Sequence, residues 1–469
     1  MKLGASRTRT ERDTIGAVEV PAEALYGAQT ARAMANFAIS GWRMPPRFLH
    51  ALALIKLAYA RVHGSLGDLP AEQAGAIAAA AEEVARGGHA DQFPVDVFQT
   101  GSATSSNMNV NEVLAHLANQ ALGGDPAGNV PVHPNDHVNL GQSSNDVVPS
   151  ALRIAATLAW REATRPALEA AAAELDTLAG RYGRAVTLGR THLMDAVPTT
   201  YGRIFDAWSR RVRLALEHGD GAAAALAELP LGGTAVGSGV GTRPEVVAGV
   251  VAELVERTGL ALRLAPNPAV AIAAQDAPIA FADALAGVGR VFLAIANDLR
   301  LRSSGPAGGL AELRMPAVQP GSSLMPGKVN PVIPEAVAQV AIEVEGLAAA
   351  CRATTSLHQL DLSHANPLLA WNLDTMQRLL AGAATALTER CLRGLEVDEE
   401  RARSLAARSS ALATALARRI GYERAAEVAK AAAATGETVA EAARRLGVLP
   451  SAELDELLNL DRLAGADRD

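Results

Sequence analysis

Aromatic side chains are scarce in this chain, with four Trp, five Tyr and seven Phe in 469 residues. So few rings argue against a stacking platform for single-stranded nucleic acid. Positive charge is not in excess either: 43 Lys and Arg face 50 Asp and Glu, a formal net charge of -7. Binding to a phosphate backbone rests on a basic footprint, which this balance does not provide. An anionic substrate would have to be drawn by a local cluster of donors. Only two cysteines occur, Cys351 and Cys391, too few for a disulfide framework and in keeping with a reducing compartment. The stretch 1–14 is charged and lacks the apolar core of a signal peptide. Long apolar runs are interrupted by charge, so no transmembrane helix is expected, and the expected location is the cytoplasm. A Ser nucleophile elbow, the dinucleotide-binding glycine fingerprint and a Cys/His zinc pattern are also missing. Neither a metal nor an organic cofactor is expected, and neither nucleic acid nor membrane is an expected partner.

What the chain has in quantity is small apolar side chains. Hydrophobic residues make up 49% and charged residues 20%, the balance of a globular protein. Alanine favours helix and lets helices approach closely. Apolar spacing is helical over 46–62, 70–86, 110–122, 149–182, 199–229, 275–302, 334–355 and 367–392. Gly64 is expected to stop the first of these, Ser105 or Ser106 to cap the third, and Pro166 to kink the fourth. Repeated helices of this length mean a long bundle, so the fold class expected is mainly α. The length corresponds to roughly three domains. They are a mostly helical 1–142, a central bundle 143–397 and a small C-terminal segment 398–469 of shorter helices. Helices with this much small apolar surface are expected to be covered by partner chains as well.

Polar loops sit at the starts of several of these helices. The densest is 321–331, where Gly321, Pro326, Gly327 and Pro331 preclude regular structure and Ser322, Ser323, Lys328 and Asn330 lie between them. Free backbone N–H groups, hydroxyls, an ammonium and a carboxamide suit a carboxylate. Pro334 and Glu335 then open a helix, where proline fits the first turn and the acid complements the dipole. A second loop, 100–109, has more hydroxyls than capping uses. A third, 141–146, carries Gln142, Ser143, Ser144, Asn145 and Asp146. In a fourth, 189–196, His192 follows Thr191, and a histidine in a polar loop can act as acid or base. His133 and His137 have a metal-like spacing, but Pro134 breaks any helix that would put both on one face. A polar loop or anion subsite is the better reading of 132–137. The glycine-rich 231–239 lacks the ending of a phosphate loop and reads as tight packing of helix ends. Together these loops can grip the two carboxylates of a small dicarboxylate. The chemistry this allows is proton abstraction beside a carboxylate, with donors ready for a dianionic intermediate. That is a lyase reaction on a succinate skeleton.

In their order and composition, 100–111, 133–136, 142–146, 189–196, 231–239 and 321–331 resemble the motifs of the fumarase/aspartase superfamily, and most of all class II fumarases. The resemblance covers almost the whole chain. It implies three mostly helical domains and a homotetramer built around a 20-helix core, with each active site composed from three subunits. By motif match, Ser322 is implied as the base that removes the Cβ proton, with Lys328 and loop N–H groups stabilising its oxyanion. His192 is implied as the second acid/base element, paired with Glu335. Lys328 and Asn330 would hold one carboxylate, and Ser102, Thr104, Ser143, Ser144, Asn145 and Thr191 the other groups. His133, Asn135 and Asp136 resemble a secondary anion site. The implied reaction is reversible anti-addition of water to fumarate, giving L-malate, without metal or cofactor. The alternative is an ammonia-lyase or a specialised paralogue on the same skeleton.

Ser102, the 142–146 run and Pro326-Gly327-Lys328 look like fumarase, whereas 25–27 and 331–335 lean toward aspartase, and the count favours fumarase. Departures from the fumarase pattern also stand out. Arg203-Ile204 replaces a usual Gln-Glu, and Gly241 a usual Asn. Asp361, Ser363 and His364 alter a usual Glu-Leu-Asn-Val, and Ala307 takes the place of an Arg. Arg203 is expected to add a cation near the site and Gly241 to remove an amide.

Overall fold

The computed structural model describes residues 7–467. Residues 1–6 of the charged N-terminal stretch and 468–469 of the expected third segment lie outside the described residues. A hairpin of β1 (Thr8–Asp13) and β2 (Gly16–Pro21) precedes α1 (Ala28–Asn36), α2 (Pro46–Ser65), α3 (Ala71–Ala85), α4 (Thr104–Ala121), α5 (Ser144–Ala159) and α6 (Arg165–Arg181). A second hairpin, β3 (Val186–Thr191) with β4 (Met194–Thr200), leads into α7 (Tyr201–Ala225). There follow α8 (Pro244–Thr258), α9 (Pro268–Ala273), α10 (Asp276–Arg302), α11 (Val332–Ala353) and α12 (Asn366–Arg390), then six shorter helices up to Ala464. The mainly helical expectation holds.

The chain divides into two compact units. The first holds Met1–Arg165, His218–Gly287 and Glu343–Leu379, and the second Pro166–Glu217, Val288–Ile342 and Leu380–Asp469. In the first unit α2 is central and packs against α3, α5 and α8. Its stripe Phe48, Leu52, Ile55 and Tyr59 recurs at helical spacing and is fully or almost fully buried. Small residues set the spacing: a Cβ on Gly64 would lie 2.7 Å from the Ala74 Cβ. Gly64 therefore serves close packing inside the last turn of α2, which runs on to Ser65.

Two helix starts differ from expectation. The segment read as beginning at Pro149 begins at Ser144, because Ser143 and Asp146 form a reciprocal capping box. Pro149 is tolerated within the helix and frees only the Asn145 carbonyl. The helix read as capped by Ser105 or Ser106 begins at Thr104, with Ala103 at φ 56 as its cap residue and no side-chain cap bond. Near Pro166, where a kink is expected, a π turn over Trp160–Thr164 separates α5 from α6.

In the second unit, 189–196 is a β-hairpin rather than a loop. His192 and Leu193 form its turn with φ 57 and 62, the doubly left-handed turn that matches strand twist. The hairpin packs its Val186 and Leu188 against Ala406 and Ala464. The C-terminal short helices share a separate core that includes Leu412, Leu416, Val428, Val439, Ala442 and Leu454.

α10 is long and apolar enough to cross a membrane by length and composition, and more than half of its most apolar stretch is buried inside the chain, as in a core helix. Gly241 sits at φ +92, so its backbone conformation accounts for glycine there. One further expectation, that for Arg203, is revised. Arg203 does not add a cation to the polar loops: its guanidinium donates to the carbonyls of Ala464 and Gly465, at the end of the last helix. A cation there satisfies orphan carbonyls and complements the helix dipole. Arg203→Gln is therefore expected to lower stability by roughly 0.5–1.5 kcal/mol and to leave substrate choice unchanged. Thermal melts and substrate competition check this, and an altered preference would return Arg203 to the site.

Candidate active site

The loop 321–331 is held by its own backbone. The Gly321 N–H donates to the Lys328 carbonyl at 2.8 Å, and Asn330 Nδ2 donates to the Gly321 carbonyl at 2.7 Å. A Cβ on Gly321 would lie 2.6 Å from the Lys328 oxygen, so only glycine closes this neck. Inside the loop, Ser322 Oγ accepts the N–H groups of Leu324 at 3.1 Å and Met325 at 2.9 Å. Two donors on one hydroxyl oxygen favour negative charge there. Lys328 is exposed and Asn330 half-buried. With Arg300, Arg314, Asp398 and Arg401 they line a cavity of about 630 Å³. Pro306, next to the departure Ala307, lines it too. Glu335 lies in the first turn of α11.

Thr191 and His192 stand exposed at the hairpin end. The residue before them anchors the hairpin. Arg190 forms a two-pronged pair with the fully buried Glu312, at 2.8 and 3.1 Å. Tyr201 Oη donates to the same carboxylate at 2.8 Å and Thr187 Oγ1 at 3.3 Å. Arg302 lies 3.5 Å away. No hydrogen bond or ion pair joins His192 to Glu335 within the chain among the described residues.

The first unit gathers the hydroxyl-bearing loops. Thr104 Oγ1 lies 2.8 Å from Ser102 Oγ and 2.7 Å from Ser144 Oγ, so three predicted substrate residues share one hydroxyl chain. Ser143 caps α5, and Asn145 Nδ2 donates to the Ala235 carbonyl at 2.9 Å. Asp146, fully buried, accepts N–H bonds from Ser143 at 3.1 Å, Gly232 at 3.1 Å and Thr234 at 2.9 Å. The glycine-rich 231–239 thus packs tightly, as expected, and also supplies donors to a carboxylate. Burial pushes the Asp146 carboxyl up to about 7, opposed by those donors and by Lys56. Lys56 is itself fully buried in α2, which pulls its ammonium down to about 7. It donates to Asn139 Oδ1 at 2.9 Å and Gln142 Oε1 at 2.8 Å.

His133 does not converge with His137 on a common point. His133 Nδ1 accepts the N–H groups of Asn135 at 3.3 Å and Asp136 at 3.2 Å, while the His133 N–H donates to His137 Nδ1 at 2.8 Å. The turn places Asn135 and Asp136 on the exposed side, with Gln29 Nε2 3.5 Å from Asn135 Oδ1. Buried Glu112 closes the start of α1 by accepting from Gly27, Gln29 and Thr30. The departures at 361–364 lie against the 100–104 loop. The Asn366 N–H donates to the Gly101 carbonyl at 3.1 Å, and a Cβ on Gly101 would lie 2.3 Å from the His364 carbonyl oxygen.

Sequence reasoning missed Lys56, Arg190, Glu312 and the anchoring role of Asp146. One signal was available: Lys56 falls on the apolar stripe of α2, four residues after Leu52 and three before Tyr59.

Long helices that begin in hydroxyl- and amide-rich loops, with a lysine-bearing glycine loop, define a helical lyase for small carboxylates. Comparisons with known proteins agree. A family model described as Lyase matches residues 16–346, and one described as Fumarase C C-terminus matches 412–465. The chain is 44% identical over 459 residues to class II fumarate hydratase 1 of Pseudomonas aeruginosa, covering 98% of this chain and 99% of that one. It is 47% identical over 451 residues to the class II fumarate hydratase of Halobacterium salinarum, covering 96% of each. The solved class II fumarase of Schistosoma mansoni superposes with a TM-score of 0.95 at 32% identity, covering 98% of this chain and 99% of that one. The chain belongs to the fumarase/aspartase superfamily, alongside its class II fumarases.

The Glu312 cluster makes its own prediction. Glu312→Gln removes the charge that pairs Arg190, and breaking a buried pair costs about 3–5 kcal/mol. A lowered melting temperature together with faster proteolysis of the 186–200 hairpin is expected. An unchanged melt would show that the cluster does not hold the hairpin.

Proposed function

We propose that this chain is a class II-type fumarase, catalysing the reversible anti-addition of water to fumarate to give L-malate. The observation that carries the reading is Ser322, whose oxygen already accepts two backbone N–H bonds beside Lys328 and Asn330. A serine hydroxyl is a poor base, and such donors are what an alkoxide needs. In the dehydration direction Ser322 Oγ takes the Cβ proton of malate. Charge builds on the adjacent carboxylate, where Lys328 and Asn330 supply cationic and amide donors. His192, with Glu335, delivers a proton as the C–O bond breaks. Ser102, Thr104, Ser143, Ser144, Asn145 and Thr191 orient the rest of the substrate, and His133, Asn135 and Asp136 form a secondary anion site.

The same reading makes the protein a cytoplasmic homotetramer with three domains per chain, a 20-helix core and active sites composed from three subunits. Apolar surface left open on the single chain supports assembly: Ile342 in α11 is 65% exposed, Leu193 at the hairpin turn 75% and Leu324 in the 321–331 loop 84%. A second reading, elimination of an amine or another group from a substituted succinate, draws on the departures at 361–364 and 307, which lie beside the polar loops.

Ser322→Ala is expected to lower turnover of L-malate by roughly 10²–10⁴-fold with little change in the melting temperature, followed by the ultraviolet absorbance of fumarate formed. An unaffected rate removes Ser322 from the mechanism, and fumarate from L-aspartate but not L-malate would favour the second reading.

A further inference from the structure

We propose that Lys56 is a positioning residue for the substrate-binding loop: from the middle of α2 it fixes Asn139 and Gln142, and through them the presentation of Ser143, Ser144 and Asn145. This rests on the reading above of those three residues as substrate donors.

An ammonium in a helical core is costly unless its partners are well placed. Lys56 is fully buried on the stripe of Leu52 and Tyr59, where a methionine of similar length would fill the space. Packing alone gives no reason for a charge. The polar partners do. Lys56 Nζ donates to Asn139 Oδ1 at 2.9 Å and to Gln142 Oε1 at 2.8 Å, the two residues that bracket the turn before Ser143. Both are bonded again on their other sides. Asn139 Nδ2 donates to the Gln142 carbonyl at 3.2 Å, and Gln142 Nε2 to the carbonyls of Val138 at 3.0 Å and Leu140 at 3.3 Å. Asn139 Oδ1 also receives Asn107 Nδ2 at 3.2 Å and Asn111 Nδ2 at 3.1 Å. Those two come from α4, which begins at Thr104. One amide oxygen thus joins α2, the α4 helix of Thr104 and the loop before Ser144, and Thr104 and Ser144 touch at 2.7 Å.

The far side of the loop is tied to a buried anion. Asp146 receives the N–H groups of Ser143, Gly232 and Thr234, and it attracts Lys56 electrostatically. The donors 143–145 therefore sit between a buried cation that fixes the entry to the loop and a buried anion that fixes its exit. Such groups must be held within a fraction of an ångström to bind a carboxylate well. Lys56 reaches no substrate atom; it acts through Asn139 and Gln142.

The test is Lys56→Met in the full-length assembly, read two ways. A charged hydrogen-bond donor acting through a rigid neighbour predicts a KM for fumarate raised roughly 10- to 100-fold with kcat within about threefold. It also predicts at least about tenfold faster hydrogen exchange at the amides of 139–146, while α2 stays protected. A folded Lys56→Met protein with KM and loop exchange unchanged overturns the proposal, and so does a drop in melting temperature with neither effect. If Lys56→Met does not fold, Gln142→Met removes the same contact from the half-buried loop side, and unchanged KM and exchange in that variant overturn it equally. Should the wild-type protein fail to hydrate fumarate, the functional reading falls, while the exchange measurement still decides the role of Lys56.

Discussion

The carboxylate of Asp146 is the constraint on which the candidate substrate-binding loops of the first unit depend. It is fully buried and accepts three backbone N–H bonds, one from Ser143 three residues before it and two from Gly232 and Thr234, 86 and 88 residues after it. A typical internal hydrogen bond nets about 1 kcal/mol, whereas leaving a buried acceptor without its partners costs about 1–3 kcal/mol, and more when it is charged. The charge therefore decides the local geometry. It sets the start of α5, because the same carboxylate closes the capping box with Ser143, and it draws the 232–234 turn onto the loop. With Lys56 opposite, it leaves Ser143, Ser144 and Asn145 little freedom, and the hydroxyl chain from Ser102 through Thr104 to Ser144 follows from that placement.

The second unit faces a different problem in the proposed reaction, that of making a basic oxygen from serine. Its solution is backbone. Gly321 permits the close crossing that closes the loop neck, and Gly327 takes φ +82. The loop then turns two N–H groups onto Ser322 Oγ. Lys328 lies in the same loop, so the chemistry of 321–331 is concentrated in eleven residues. The histidine-bearing turn is built separately, on a hairpin anchored by Glu312. Buried acids thus do the same work in both units: Asp146, Glu112 and Glu312 each fix a polar segment that carries, or stands beside, exposed functional groups.

Much of this was legible in the sequence. Helical periodicity gave most of the helices, and the 321–331 loop was found where the structure has it, because composition and proline or glycine punctuation mark such a loop locally, whereas 189–196 is a hairpin. What escaped depends on contacts distant in sequence. Lys56 looks like an interruption of an apolar stripe until Asn139 and Gln142 are seen beneath it. The 186–200 hairpin lacks the Asn-Gly signal of its turn type, since His192 and Leu193 occupy the left-handed positions. Arg203 was read as a site cation because it neighbours family motifs in sequence; its partners are carbonyls about 260 residues away. Capping also outweighed proline at the start of α5, where a reciprocal Ser143–Asp146 pair placed the boundary five residues ahead of Pro149.

The group added to the double bond separates a hydratase from an ammonia-lyase most directly. The decisive measurement is fumarate consumption by the purified full-length protein, followed by ultraviolet absorbance, in water alone and then with added ammonium. Rapid loss in water alone, with L-malate as the product and no acceleration by ammonium, is the predicted result. Loss only when ammonium is present would contradict the hydratase account, and no loss from a folded assembly would turn attention to substituted succinates and to the departures at 361–364.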